Sequence, residues 1–378
     1  MLYELLSWIN QTISPPGFGA FDFITTRTAF ASATALIISL IIGKKIIQWL
    51  KRMQLKENIR DDIGLKSHLS KADTPTMGGV IIILATVIPA LLWMRMDSIY
   101  TWTIIFVVLV LGGVGFVDDY IKVVRKDKSG LHGWFKIIGQ VLVGTVLGVT
   151  LYFWPAFEEY NTLTTVPFLK EVNIDYAFFG DEYGWLVFIP VVIFIITGVS
   201  NAANLTDGLD GLLSGTSAIA GVILGIFAYV SGRVDFSEFL NIMYLPGAGE
   251  LTIFAASLVG ACLGFLWYNS YPASVFMGDT GSLALGGALG ALAVMIHKEL
   301  LLPIICGIFV VEALSVIIQT SWFKYTRKIY GEGQRIFLMA PIHHHFEKQG
   351  WSESKIVVRF WIIAILLGIL SLLTLKLR

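Results

Sequence analysis

The sequence predicts an all-α polytopic membrane protein of about ten transmembrane helices, with both termini on the periplasmic side and the active face on the cytoplasmic side. Three observations predict it. Of 378 residues, 56% are hydrophobic and 14% charged, with a mean hydropathy of +0.74; soluble domains carry about 25% charged residues. Ten stretches approach the roughly 20 apolar residues that a bilayer crossing requires. Lysine and arginine gather in alternate loops, which orients those loops toward the cytoplasm.

The spans fall at about 25–47, 76–94, 100–117, 134–154, 185–200, 212–230, 251–268, 282–297, 300–322 and 356–376. The fifth and eighth are short. After the first come Lys44, Lys45, Lys51, Arg52, Lys56, Arg60, Lys66 and Lys71; after the third, Lys122, Arg125, Lys126 and Lys128. Lys324, Arg327, Lys328 and Arg335 precede the last. The segment 155–184 is acidic, with Lys170 as its lone basic residue and room for a small hairpin. This alternation agrees with ten spans and five cytoplasmic loops. No soluble domain or low-complexity linker interrupts residues 1–378, which read as a single integral membrane domain.

Smaller features fit the same picture. Glu4 interrupts any cleavable signal pattern, so the first span serves as its own insertion signal. Cys262 and Cys306 lie in apolar runs and read as packed thiols rather than a disulfide framework. GTVLG (144–148) and GGALG (286–290) are small-xxx-small patterns that predict close helix packing. Net charge is zero, so an anionic partner has to be steered by local patches. Nothing points to nucleic acid.

The unusual polar residues collect on the cytoplasmic side. KADTPTMGG (71–79) opens the second span, and VDDY (117–120) closes the third. Lys136 starts the fourth. NLTDGLDG (204–211) joins the fifth and sixth, YNSYPASVFMGDTGS (268–282) joins the seventh and eighth, and APIHHHFEKQG (340–350) precedes the tenth. A transporter built on inverted halves would show a polar path through both leaflets and an internal repeat; neither is visible.

Asp118 and Asp119 stand where a helix C-terminus disfavours carboxylates. They are about 100° apart on a helix, which predicts two separate roles. The alternative is a solvated helix end balanced by Lys122 and Arg125. Asn204, Asp207 and Asp210 recur every three residues, either sharing a helical face or making turns with the glycines. Asp279, flanked by glycines, suits a close ligand approach or a helix N-cap. His343, His344 and His345 are adjacent, a spacing that favours an anion site or proton donor over zinc. Acids with lysines on one membrane face suit phosphate chemistry, in which Mg²⁺ bridges carboxylate and phosphate oxygens. No soluble phosphate-binding loop is present.

Together TPTMGG, FVDDYIK, NLTDGLDG, FMGDTGS and PIHHHFEKQGWSE resemble, in matching order, the phospho-N-acetylmuramoyl-pentapeptide transferase branch of the polyprenyl-phosphate N-acetylhexosamine-1-phosphate transferases. The resemblance implies transfer of phospho-MurNAc-pentapeptide from UDP-MurNAc-pentapeptide to undecaprenyl phosphate, giving lipid I and UMP. It implies Mg²⁺, a bacterial inner-membrane location, a homodimer and a broken ninth helix. By resemblance, Asp279 holds Mg²⁺, Asp118 is the candidate base, and Asp119 is essential beside it. Phe276 stacks on uracil, with Lys71, Asn269 and Asp210 hydrogen-bonding nearby. Thr76 joins the substrate set, and Asn204 and Asp207 line the adjacent pocket. Lys136, matched through its spacing to Gln140, and His343 to His345 face phosphate or sugar-peptide groups. A phosphate monoester has a second pKa near 6, so Asp118 is expected mainly to orient the nucleophile. A two-step route through an aspartyl intermediate stays open. The nearest rival is a relative that transfers GlcNAc-1-phosphate.

Overall fold

The computed structural model describes residues 1–53, 74–127, 129–157, 160–169 and 172–376. Its helices follow the apolar runs. A short α1 (Leu2–Ile13) precedes α2 (Ile24–Arg52), which buries one stripe: Arg27, Ala31, Ala35, Ser39, Gly43, Ile47 and Leu50. That spacing of three to four is a single helical face, and the opposite face is left for lipid. Then come α3 (Gly79–Trp93), α4 (Ile99–Val123) and α5 (Gly133–Phe153). A hairpin follows, β1 (Leu163–Thr165) antiparallel to β2 (Asn173–Asp175), inside the segment where one was expected. The chain continues through α6 (Trp185–Thr206), α7 (Leu212–Ser231), the short α8 (Val234–Leu240), α9 (Gly249–Asn269) and α10 (Gly278–Met295). It ends with α11 (Leu302–Ile305), α12 (Gly307–Tyr330), α13 (Ile342–Lys348) and α14 (Glu353–Leu373).

Eight described helices are long and apolar enough to cross a membrane: α2, α4, α5, α6, α7, α9, α12 and α14. The expected second and eighth spans form α3 and α10 but fall outside that set, α3 because it has only 15 residues. Helix α10 is rich in Gly and Ala, and its residues from Thr280 to Met295 are all buried. A helix apolar all round belongs inside a bundle, and α10 packs against α4 and α6. The small-residue patterns explain how. A Cβ on Gly286 would lie 2.6 Å from the Ser200 backbone, and one on Gly144 would lie 2.6 Å from the backbone of Ile193. Both cysteines are free and buried, as their apolar surroundings predicted.

Several boundaries move. The third span continues six residues past its apolar run, through the Asp pair, to Val123. The fifth runs to Thr206, taking Asn204 into its last turn. The eighth starts at Gly278, so Asp279 lies in its first turn. The ninth is interrupted at Cys306, between α11 and α12. In each extended helix the helical hydrogen bonds continue after hydropathy falls, because polar side chains find partners on neighbouring helices.

At the bundle end where α2 and α9 begin, Arg27 and Glu250 form a buried ion pair of 2.8 Å, at 3% and 4% exposure. Glu250 also accepts the Arg95 N–H at 2.9 Å, and Arg27 donates to the Trp93 carbonyl at the end of α3. Helix α1 closes this end: the Tyr3 ring lies under the Arg27 guanidinium, and Glu4 accepts the Met96 N–H.

Candidate active site

At the other end of α3 the polar motifs meet. Helix α4 carries Asp118 and Asp119 in its last turns, at 0% and 4% exposure. Helix α10 brings Asp279 in its first turn, and α5 brings Lys136. The α4–α10 approach depends on Gly115, where a Cβ would run into the Asp279 carbonyl oxygen.

The two adjacent carboxylates face different partners. Asp119 accepts three hydrogen bonds: from the Asp279 N–H at 3.1 Å, the Thr280 N–H at 2.9 Å and the Thr280 hydroxyl at 2.6 Å. A helix N-terminus leaves N–H groups unsatisfied and carries partial positive charge. Asp119 therefore caps α10 from a neighbouring helix. Gly278, at φ +74°, makes the turn into that cap, and a side chain there would press on Asp119. Asp118 instead accepts the Leu131 N–H at 2.7 Å, which ties down the loop leading into α5. Its other oxygen pairs with Lys122 at 2.5 Å and Lys136 at 3.0 Å. The same two ammonium groups reach Asp279 Oδ2, at 3.2 Å and 2.5 Å.

Asp118 and Asp279 thus share two lysines, while Asp119 faces the start of α10. One ligand oxygen from each of Asp118, Asp119 and Asp279 lies within 4.8 Å of the others. An all-oxygen set of acids fits a hard cation such as Mg²⁺. The Asp119 oxygens are spent on the α10 backbone, so Asp118 and Asp279 are the better-placed donors.

A second group adjoins the first. Backbone pairing joins residues 75–79 to 276–277: the Phe276 N–H donates to the Pro75 carbonyl, and Gly78 N–H donates to Phe276. Thr76 is buried in this seam, and Phe276 is half-buried. The three-residue repeat of NLTDGLDG does not stay helical. Asn204 is in α6, Asp207 caps it, and Asp210 lies in the turn beyond. Asp210 accepts the Ala273 N–H at 2.9 Å, while its own N–H donates to Glu353 at 2.7 Å. Asn269 accepts the Gly211 N–H and donates to the Val275 carbonyl. Asp210 and Asn269 thus knit the two loops that flank Phe276. Asn204 and Asp207 stay partly exposed. Lys71 lies outside the described residues.

The three histidines diverge. His343 Nδ1 is 3.1 Å from Glu312, His344 Nδ1 is 2.6 Å from Glu347, and His345 Nδ1 accepts the Leu338 N–H. Gln140, the partner in the Lys136 spacing, donates to Ser200 at 2.9 Å and so braces α5 on α6.

Sequence reasoning missed four contributors. Lys122 was legible as a partner for Asp118 at i+4, but its reach to Asp279 was not. Thr280 and Glu353 look like ordinary helix-start residues. Glu312 carried a usable signal, an acid inside an apolar span.

Comparison with known proteins finds relatives of this chain. The family model described as Glycosyl transferase family 4 matches residues 101–297, and Phospho-N-acetylmuramoyl-pentapeptide-transferase signature 1 matches residues 71–83. The chain is 52% identical to the phospho-N-acetylmuramoyl-pentapeptide-transferase of Flavobacterium johnsoniae. It is 53% identical to those of Salinibacter ruber and Chloroherpeton thalassium. Each match covers 100% of both chains.

Proposed function

We propose that this chain, which belongs to the phospho-N-acetylmuramoyl-pentapeptide-transferase family, transfers phospho-MurNAc-pentapeptide from UDP-MurNAc-pentapeptide to undecaprenyl phosphate. The products are lipid I and UMP, in peptidoglycan biosynthesis. The observation that carries the reading is the convergence of Asp118, Asp119 and Asp279 with Lys122 and Lys136 at one end of an apolar helix bundle.

An oxygen of the lipid phosphate attacks the sugar-linked phosphorus of the UDP substrate. The new phosphoanhydride forms as the bond to UMP breaks. One anhydride replaces another, so the protein's task is positioning and charge neutralisation. Two anions have to meet, and Lys122 and Lys136 offset their repulsion as point charges. Asp279 and Asp118 would hold Mg²⁺, which when bound supplies further positive charge to the diphosphate oxygens. Asp118 orients the lipid phosphate, which at pH 7 is already mostly dianionic. Asp119 holds the start of α10, and with it Asp279.

Phe276 stacks on uracil, with Lys71, Asn269 and Asp210 around it. Thr76, Asn204 and Asp207 line the adjoining pocket, and His343, His344 and His345 face phosphate or sugar-peptide groups. With α3 and α10 added to the eight longer helices, the chain crosses the bacterial inner membrane ten times as one unit, both termini periplasmic and the site cytoplasmic. It works as a homodimer.

The test uses the purified full chain in detergent with undecaprenyl phosphate. UMP release is expected with UDP-MurNAc-pentapeptide, not with UDP-GlcNAc, and is expected to stop when EDTA removes divalent cations. A GlcNAc lipid formed without any MurNAc-peptide lipid would replace this reading with the related GlcNAc-1-phosphate transferase. EDTA-insensitive release would remove Mg²⁺ from it.

A further inference from the structure

Glu312 interrupts the apolar stretch IFVVEALSVII of α12 and is fully buried. An ionisable residue inside a membrane helix is costly and marks function, with its partner to be named. The partner is His343 on α13, whose Nδ1 lies 3.1 Å from the Glu312 Oε2. His343 is also fully buried.

The contact is close, yet it does not use up either group. Among the described residues, both Glu312 oxygens and both His343 ring nitrogens lack a hydrogen bond of good geometry. Buried polar atoms are nearly always satisfied, so four such atoms on one pair of side chains call for an explanation. A clamp whose whole purpose was to hold α13 on α12 would be built with those bonds closed. The far side of the ring supplies the explanation. His343 Nε2 abuts Gly208, where a Cβ would collide with that nitrogen. Gly208 belongs to NLTDGLDG, between Asp207 and Asp210. The imidazole thus spans from a carboxylate on one side to the polar loop on the other. A carboxylate only accepts, so closing this contact selects the ring form with its proton on Nδ1 and leaves Nε2 against the loop.

We propose that Glu312 is a positioning residue: it fixes the His343 ring against Gly208 and so, through His343, sets the 207–210 loop that meets the nucleotide-sugar substrate. The proposal rests on the transferase reading above. It also predicts asymmetry between the two substrates, since only the UDP substrate is met at that loop.

The experiment compares the full chain in detergent with Glu312→Gln, Glu312→Asp, His343→Gln and the double variant Glu312→Gln/His343→Gln, following UMP release. Glu312→Gln is expected to lower kcat/KM for the UDP substrate about 10–100-fold, the usual range for a group that orients a ligating or reacting side chain. KM for undecaprenyl phosphate stays unchanged, and Glu312→Asp restores part of the rate. The double variant is no slower than His343→Gln alone, because the two residues act as a unit. Wild-type kinetics in Glu312→Gln, equal damage toward both substrates, or multiplied losses in the double variant would each overturn the assignment. If Glu312→Gln does not fold, the same substrate split is read from Glu312→Asp. The wild-type arm separates two failures: no UMP there removes the transferase reading, whereas an unimpaired Glu312 variant beside active wild type removes the positioning role.

Discussion

At one end of α3, Arg27 and Glu250 cancel each other; at the other, three carboxylates converge and two lysines pair with two of them. Both are buried charge clusters in an apolar bundle. Around Arg27 and Glu250 the charges match one to one, and backbone groups of Trp93 and Arg95 take up further bonding capacity. Such a cluster is finished and holds helices together. Around Asp118, Asp119 and Asp279 the three acids outnumber the two lysines by one, and Asp118 and Asp279 compete for the same ammonium groups. Burial of an uncompensated charge is expensive. A cluster left in that state is built to receive cations and phosphates, and the difference between the two ends separates a structural ion pair from a working site.

The largest expected effect is at the open cluster. Asp279→Asn should lower UMP release about 10³-fold, the scale of losing a group that stabilises developing charge, with the melting temperature retained. Wild-type turnover in that variant would make the open cluster as structural as the closed one. Next comes the closed cluster. Glu250→Ala leaves Arg27 buried without its partner and should cost about 3–5 kcal/mol of stability. Thermal denaturation in detergent reads the loss, and the folded fraction should keep its kcat. A variant as stable as the parent would erase the contrast. Gly115→Ala pushes α4 from α10 and should cost about 1–3 kcal/mol through overpacking, with slower turnover as the acids separate. The smallest effect sharpens the division within the Asp pair. Asp119→Ala removes the α10 cap and should cost about 1–2 kcal/mol; Asp119→Asn, which keeps an accepting oxygen, should cost less. Equal stability of both with the parent would argue against capping.

Much of this was legible before any coordinates. The eight long helices lie where apolar runs predicted spans, and the hairpin lies in the acidic segment. The Asp pair was readable as two roles, because adjacent helical residues diverge. Which role belonged to which acid was not readable, since the answer is the backbone of Asp279 and Thr280 on another helix. The histidines were readable as unsuited to one metal, but their three separate partners come from α12, α13 itself and the segment before it.

Hydropathy along the chain determined by itself that this protein crosses a membrane and roughly where, because the cost of inserting each segment is summed over neighbouring residues. The motifs likewise determined the family, because they stand in order along the chain. Only the tertiary structure decided that Asp119 accepts from the backbone of Asp279, 160 residues later, that Lys136 reaches Asp279 across 143 residues while also pairing with Asp118, and that Glu312 meets His343. Those pairings depend on how closely helices pack, which glycines such as Gly115 permit and which no local sum along the chain contains.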